Sequence, residues 1–150
     1  MMVAAVPNFV QPLTIWRFEM TALSAPSASR SVNIAAWVIQ LLLSAAFLAA
    51  SCAKLAGAPM MLDVFHQIGL GQGFRYLTAI VEIVGVVALL TPGSAVLGAL
   101  WLGFTMFVAI LTHLLVLHSN PAGAVVLFGL CAVLVWLRRG QAAALRERFS

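Results

Sequence analysis

Four apolar stretches, each close to the length of a bilayer crossing, leave this chain few choices of fold. They cover residues 33–55, 74–90, 95–117 and 122–137. About 20 apolar residues cross the hydrocarbon core as a helix, so the second and fourth stretches are on the short side. Strands of a membrane β-barrel alternate between apolar and polar residues, and these runs do not, so helices are predicted. Only 8% of the chain is charged, and 63% is hydrophobic. Soluble domains carry about 25% charged residues, so lipid is the expected solvent and the bilayer the first expected partner. The net charge of +4 does not point to nucleic acid. The few basic residues flank apolar runs, and no basic stripe with interleaved aromatics exists. The expectation is an all-α, four-helix transmembrane bundle, up-down-up-down.

The punctuation between the runs agrees. Thr91-Pro92-Gly93-Ser94 and His118-Ser119-Asn120-Pro121 read as tight turns, with Pro121 suited to a helix start. The link between the first two runs is longer. Pro59 fits a first helical turn, Gly69 fits the stop, and Met61, Leu62, Phe65 and Ile68 share a side. A short amphipathic helix at the membrane surface is expected there, with an ordinary structured loop as the alternative. Residues 1–30, with Pro7, Pro12, Pro26 and small polar residues, read as a flexible tail and lack the pattern of a cleavable signal peptide. Met20 offers a second start, which would make the first nineteen residues an extension. Residues 31–139 form the expected membrane domain, and residues 140–150 a second tail that could extend the last helix. Arg17 and Arg30 precede the runs, and Arg138, Arg139, Arg146 and Arg148 follow them, whereas Lys54 and Arg75 lie on the other side. The positive-inside rule then puts both termini in the cytoplasm.

Three ionisable residues interrupt the apolar runs: Lys54, Glu82 and His113. A charge at a helix centre costs roughly 2.5–3.5 kcal/mol on insertion scales, so such residues pair, face the bundle interior and mark candidate sites. Alternating passes put Lys54 late in the first run, Glu82 roughly 12 Å into the second, and His113 near the end of the third. All three therefore fall in one half of the bilayer, whichever way the chain is inserted. Lys54 could snorkel or pair with Glu82. Glu82 must be paired or neutral. Thr78 and Gly85, one turn to either side, make its face small and polar. His113 reads as a packed or hydrogen-bonded residue, with a proton relay or haem ligation as alternatives. No catalytic residue is assigned beyond these three candidates, and no metal site is expected.

The first run also carries a stripe: Asn33, Trp37, Gln40, Ser44, Phe47, Ser51 and Lys54 are spaced alternately four and three apart. That spacing draws one line down a helix. Polar pairing between helices explains it, and so does the lining of a cavity, for which Gln40, Ser44, Ser51 and Thr78 are the candidates. Cys52 and Cys131 have no metal-ligand or redox spacing and read as small buried thiols. Gly69-Leu70-Gly71-Gln72-Gly73 is not a nucleotide fingerprint, because no strand precedes it and the last spacing is wrong.

In order, the chain presents Phe47, Ser51-Cys52-Ala53-Lys54-Leu55, Phe65 and Gly69, Tyr76, Glu82-Ile83 and Gly85, and Leu89-Leu90 with Pro92. Leu97-Gly98-Ala99, Met106, Ala109, His113-Leu114 and Trp136-Leu137-Arg138-Arg139 follow. This set resembles the DoxX-like family of small four-helix membrane proteins over residues 37–139. The family often has glycine three residues before the lysine, where this chain has Ser51. The resemblance implies a bacterial cytoplasmic (inner) membrane location and an association with quinone-linked sulfur oxidation or membrane oxidoreductase assemblies. An accessory or quinone-interacting subunit of a redox system is therefore expected, with a soluble or membrane oxidoreductase as partner. Quinone is the one cofactor so implied, since the chain itself shows no cofactor motif. A non-catalytic scaffold or assembly factor is the alternative, as is a stand-alone isomerase or carrier using Glu82. Homo-oligomerisation stays open.

Overall fold

A computed structural model describes residues 30–140. The readings for residues 1–29 and 141–150 (the tails, the alternative start at Met20, the helical extension) lie outside the described residues. Five helices follow one another: α1 (Arg30–Ala56), α2 (Pro59–Ile68), α3 (Gln72–Leu90), α4 (Ala95–Leu115) and α5 (Ala122–Leu137). No strand occurs among the described residues. Helices α1, α3 and α4, of 27, 19 and 21 residues, are long and apolar enough to cross a membrane. Helix α5 is apolar but has only 16 residues, a rise of about 24 Å against a hydrocarbon core of about 30 Å.

Local sequence explains the helix ends. Pro59 occupies the first turn of α2, where no backbone N–H is needed. Gly69 ends it in the left-handed conformation at φ 78°, and its N–H reaches the His66 carbonyl. Within α2, Phe65 is buried while Asp63, His66 and Gln67 are exposed. Gly93, at φ 85°, allows the tight turn from α3 into α4.

The core lies between the long helices. Helix α1 packs on α3 and α5, α3 on α4, and α4 on α5, while α2 lies against α3 and α1. Leu43, Phe47, Val86, Leu89, Ala99, Leu102, Met106, Cys131 and Leu134 fill the centre. Helices α3 and α4 approach closely at two glycines. A Cβ on Gly98 would overlap the backbone of Leu89, and one on Gly85 would overlap Leu102. Small residues that let backbones meet are the usual means of membrane helix packing. Elsewhere large apolar side chains face outward, among them Leu41, Leu42, Leu77, Ile80, Val84, Phe104 and Leu115. Cys131 is buried as expected, but Cys52 is exposed. It follows buried Ser51 by one position, a rotation of about 100° around the helix, which here carries it off the buried face.

Candidate functional site

The stripe on α1 turns inward. Gln40, Ser44, Phe47 and Ser51 are all buried, and Lys54 is half-buried at its end. On α3 the residues Arg75, Ala79, Glu82, Val86 and Leu89 are buried, one helical face spaced three and four apart. Where the two faces meet, the Lys54 ammonium donates to both oxygens of Glu82 at 2.9 Å. The Ser51 hydroxyl donates to Glu82 Oε2 at 3.0 Å. The side chains of Lys54 and Glu82 are only 12% and 4% exposed. Charge-assisted bonds of this kind are the strong ones, and here one cation and one anion cancel inside the bundle.

A second polar feature stands at the other end of α1. Asn33, Trp37 and Gln40 of α1, the turn residues Thr91, Pro92 and Gly93, Ala95 of α4, and Arg138 line a half-open hollow of about 280 Å³. The buried Gln40 amide joins three helices there. Its Nε2 donates to the Leu89 carbonyl at 2.8 Å, one of the last four carbonyls of α3, which helix geometry leaves without an intrahelical donor. Its Oε1 accepts from Arg138 Nε at 3.2 Å and Nη2 at 2.8 Å. Arg138 Nη1 donates to Asn33 Oδ1 at 3.0 Å, and the guanidinium carbon stands 5.6 Å from the Trp37 ring centroid.

Arg75, at the start of α3, is a third polar element. It is only 3% exposed. Its Nε donates to Gln72 Oε1 at 2.8 Å, and its guanidinium lies 4.3 Å from the centroid of the Tyr76 ring. The turn at Gly57, in the left-handed region at φ 68°, passes directly over it. Arg75 Nη1 and the Ser44 hydroxyl are buried side-chain atoms without a hydrogen-bond partner among the described residues.

The model of the DoxX-like family matches residues 38–137. The chain belongs to the DoxX-like family. No curated protein and no solved structure matches it. Family membership and the three long apolar helices together make it a membrane protein.

In this DoxX-like protein Lys54 and Glu82 meet, whereas His113 engages elsewhere. Its Nδ1 shares a 2.7 Å hydrogen bond with the Ser119 hydroxyl, in the turn after α4. Of the four candidate lining residues, Gln40 borders the hollow, and Ser44, Ser51 and Thr78 do not. Ser51 serves the ion pair, and Thr78 donates to the Arg75 carbonyl at 2.9 Å. Ser51 therefore places a hydroxyl on Glu82, which a glycine at this position would not offer. Two residues that sequence reasoning treated only as topological charges, Arg75 and Arg138, turn out to be structural. The available signal for Arg75 was its spacing of seven before Glu82. For Arg138 it was the run of Asn33, Trp37 and Gln40 at the start of the inward stripe, with no partner yet assigned.

Proposed function

We propose that this protein is a non-catalytic accessory subunit, a membrane scaffold within a redox system, whose buried ion pair fixes the register of its helices. One observation carries the non-catalytic reading: both oxygens of the buried Glu82 carboxylate are bonded within the protein. Lys54 holds both of its oxygens and Ser51 donates to one. A general acid or base needs a proton position open to substrate, and this carboxylate is enclosed by its own partners. An isomerase or carrier built on Glu82 is disfavoured for the same reason. A quinone site at Glu82 is not favoured, since the Ser51 hydroxyl and two of the three Lys54 N–H donors are already given to the carboxylate.

The redox association rests on the resemblance to the family, not on geometry. The proposed arrangement is four alternating passes, α1, α3, α4 and α5, with α2 lying along the membrane surface and both termini in the cytoplasm of a bacterial inner membrane. The order of helix contacts, α1 to α3 to α4 to α5 and back to α1, supports it. So do the short turns after α3 and α4.

The test separates scaffold from site. Glu82→Gln and the paired apolar change Lys54→Met with Glu82→Leu are expressed in a strain lacking the native chain. Quinol-linked respiration and folded protein in the membrane are then measured. The scaffold reading expects the double variant to fold and to restore respiration. A folded double variant that restores nothing would overturn it.

A further inference from the structure

The charges of the described residues balance at one end of the bundle, where Lys54 and Arg75 accompany two acids, and not at the other. Both described carboxylates, Asp63 and Glu82, lie in α2 and α3, away from the hollow, and Glu82 is neutralised by Lys54. The opposite end holds Arg30 at the start of α1 and Arg138 and Arg139 after α5. Among the described residues, Arg138 is fixed there by neutral acceptors alone. Its bonds to Gln40 and Asn33 use three N–H groups of the five a guanidinium carries, so two remain, and its charge is uncompensated by any described acid. The hollow beside it is bordered by Ala95, the first residue of α4. That helix has no side-chain cap on its opening amides, so its dipole adds partial positive charge at the same place.

We propose that this hollow binds a phosphate group, that of an anionic phospholipid headgroup, seated on the Arg138 guanidinium beside Trp37. Arginine matches phosphate through parallel N–H donors. The volume of about 280 Å³ falls just below the ~300–1,000 Å³ of drug-sized pockets and suits a small polar group. The surroundings favour lipid as the source of the phosphate. Ile34, Trp37, Val38 and Leu41 leave large apolar side chains exposed along α1 from the hollow inward, a track for an acyl chain below a seated headgroup. This inference is independent of the scaffold reading, because it uses none of Ser51, Lys54 or Glu82.

The test uses the full chain purified in mild detergent. Native mass spectrometry compares retention of dioleoyl-phosphatidylglycerol and dioleoyl-phosphatidylcholine, and a parallel arm follows thermal stability with millimolar inorganic phosphate. Wild type is expected to prefer the anionic lipid about tenfold, the scale of one charge-assisted contact. Arg138→Gln should abolish the preference, while Arg139→Gln, whose guanidinium lies over Trp136, should keep it. If Arg138→Gln does not fold, Arg138→Lys keeps the charge without the planar fork and should weaken the preference severalfold. Stabilisation by inorganic phosphate without lipid preference would uphold the phosphate site and move its source to the aqueous phase. Three results overturn the proposal: neither ligand acts on wild type; Arg138→Gln and Arg139→Gln lose lipid equally; or binding emerges only when Glu19→Gln and Glu147→Gln are combined, which would make the hollow a seat for the chain's own carboxylate.

Discussion

The two ends of α1 solve the same problem in opposite ways. At Lys54 a cation is taken into the bundle and met by an acid at 2.9 Å, and a hydroxyl donates to that acid at 3.0 Å, so the pair is closed. At Gln40 a guanidinium is held, among the described residues, only by amide oxygens, beside a hollow. At the first end the Lys54–Glu82 pair has its opposite charges met from within, although Arg75 Nη1 near the same end has no hydrogen-bond partner among the described residues. The second has directional bonds but retains a positive charge and space next to it. In an apolar surrounding the first arrangement suits register and the second suits a ligand.

The largest effect should come from opening the closed end. Lys54→Met or Glu82→Leu alone leaves a buried charge without its partner and should cost about 3–5 kcal/mol, read by unfolding in detergent. Next comes Gly98→Ala, whose added methyl meets the Leu89 backbone. It should cost about 1–3 kcal/mol by forcing α3 and α4 apart. Because Gln40 bonds the Leu89 carbonyl, this change should also disturb the hollow, seen as altered Trp37 fluorescence in a variant with Trp16, Trp101 and Trp136 replaced by Phe. Ser51→Ala should lose about 1 kcal/mol, one hydrogen bond to a carboxylate that keeps its cation. Arg138→Gln should be the mildest, at or below about 1 kcal/mol, because the partly exposed end lets water replace the lost donors. If Arg138→Gln destabilises as much as Lys54→Met, the contrast between a closed end and an open one fails.

Much of this was legible in the sequence, for definite reasons. Lys54 and Glu82 could be matched by expecting successive apolar passes to reverse direction, an expectation that sets relative depth without any knowledge of packing. The inward face of α1 followed from the alternating spacing of its polar residues. His113 shared that depth, but depth does not fix azimuth around a helix, and the nearby Ser119 engages its ring. The hollow was half visible. Gln40 was a candidate lining residue, yet its neighbours there come from a turn and from beyond α5, 98 residues from Arg138 along the chain. Periodicity within one helix carries no such information. Arg75 read only as a topological charge because it stands at the edge of the apolar run 74–90. Its burial comes from the Gly57 turn folding over it, a tertiary event that local pattern does not encode.

The most direct measurement of the central claim is a double-mutant cycle on Lys54→Met and Glu82→Leu, with unfolding free energy followed in detergent. A closed pair that sets register predicts that the two losses do not add: the double variant recovers at least about 2 kcal/mol relative to the sum of the singles. Losses that add to within about 0.5 kcal/mol would mean the two side chains act independently, and the ion pair would not be what holds α1 to α3.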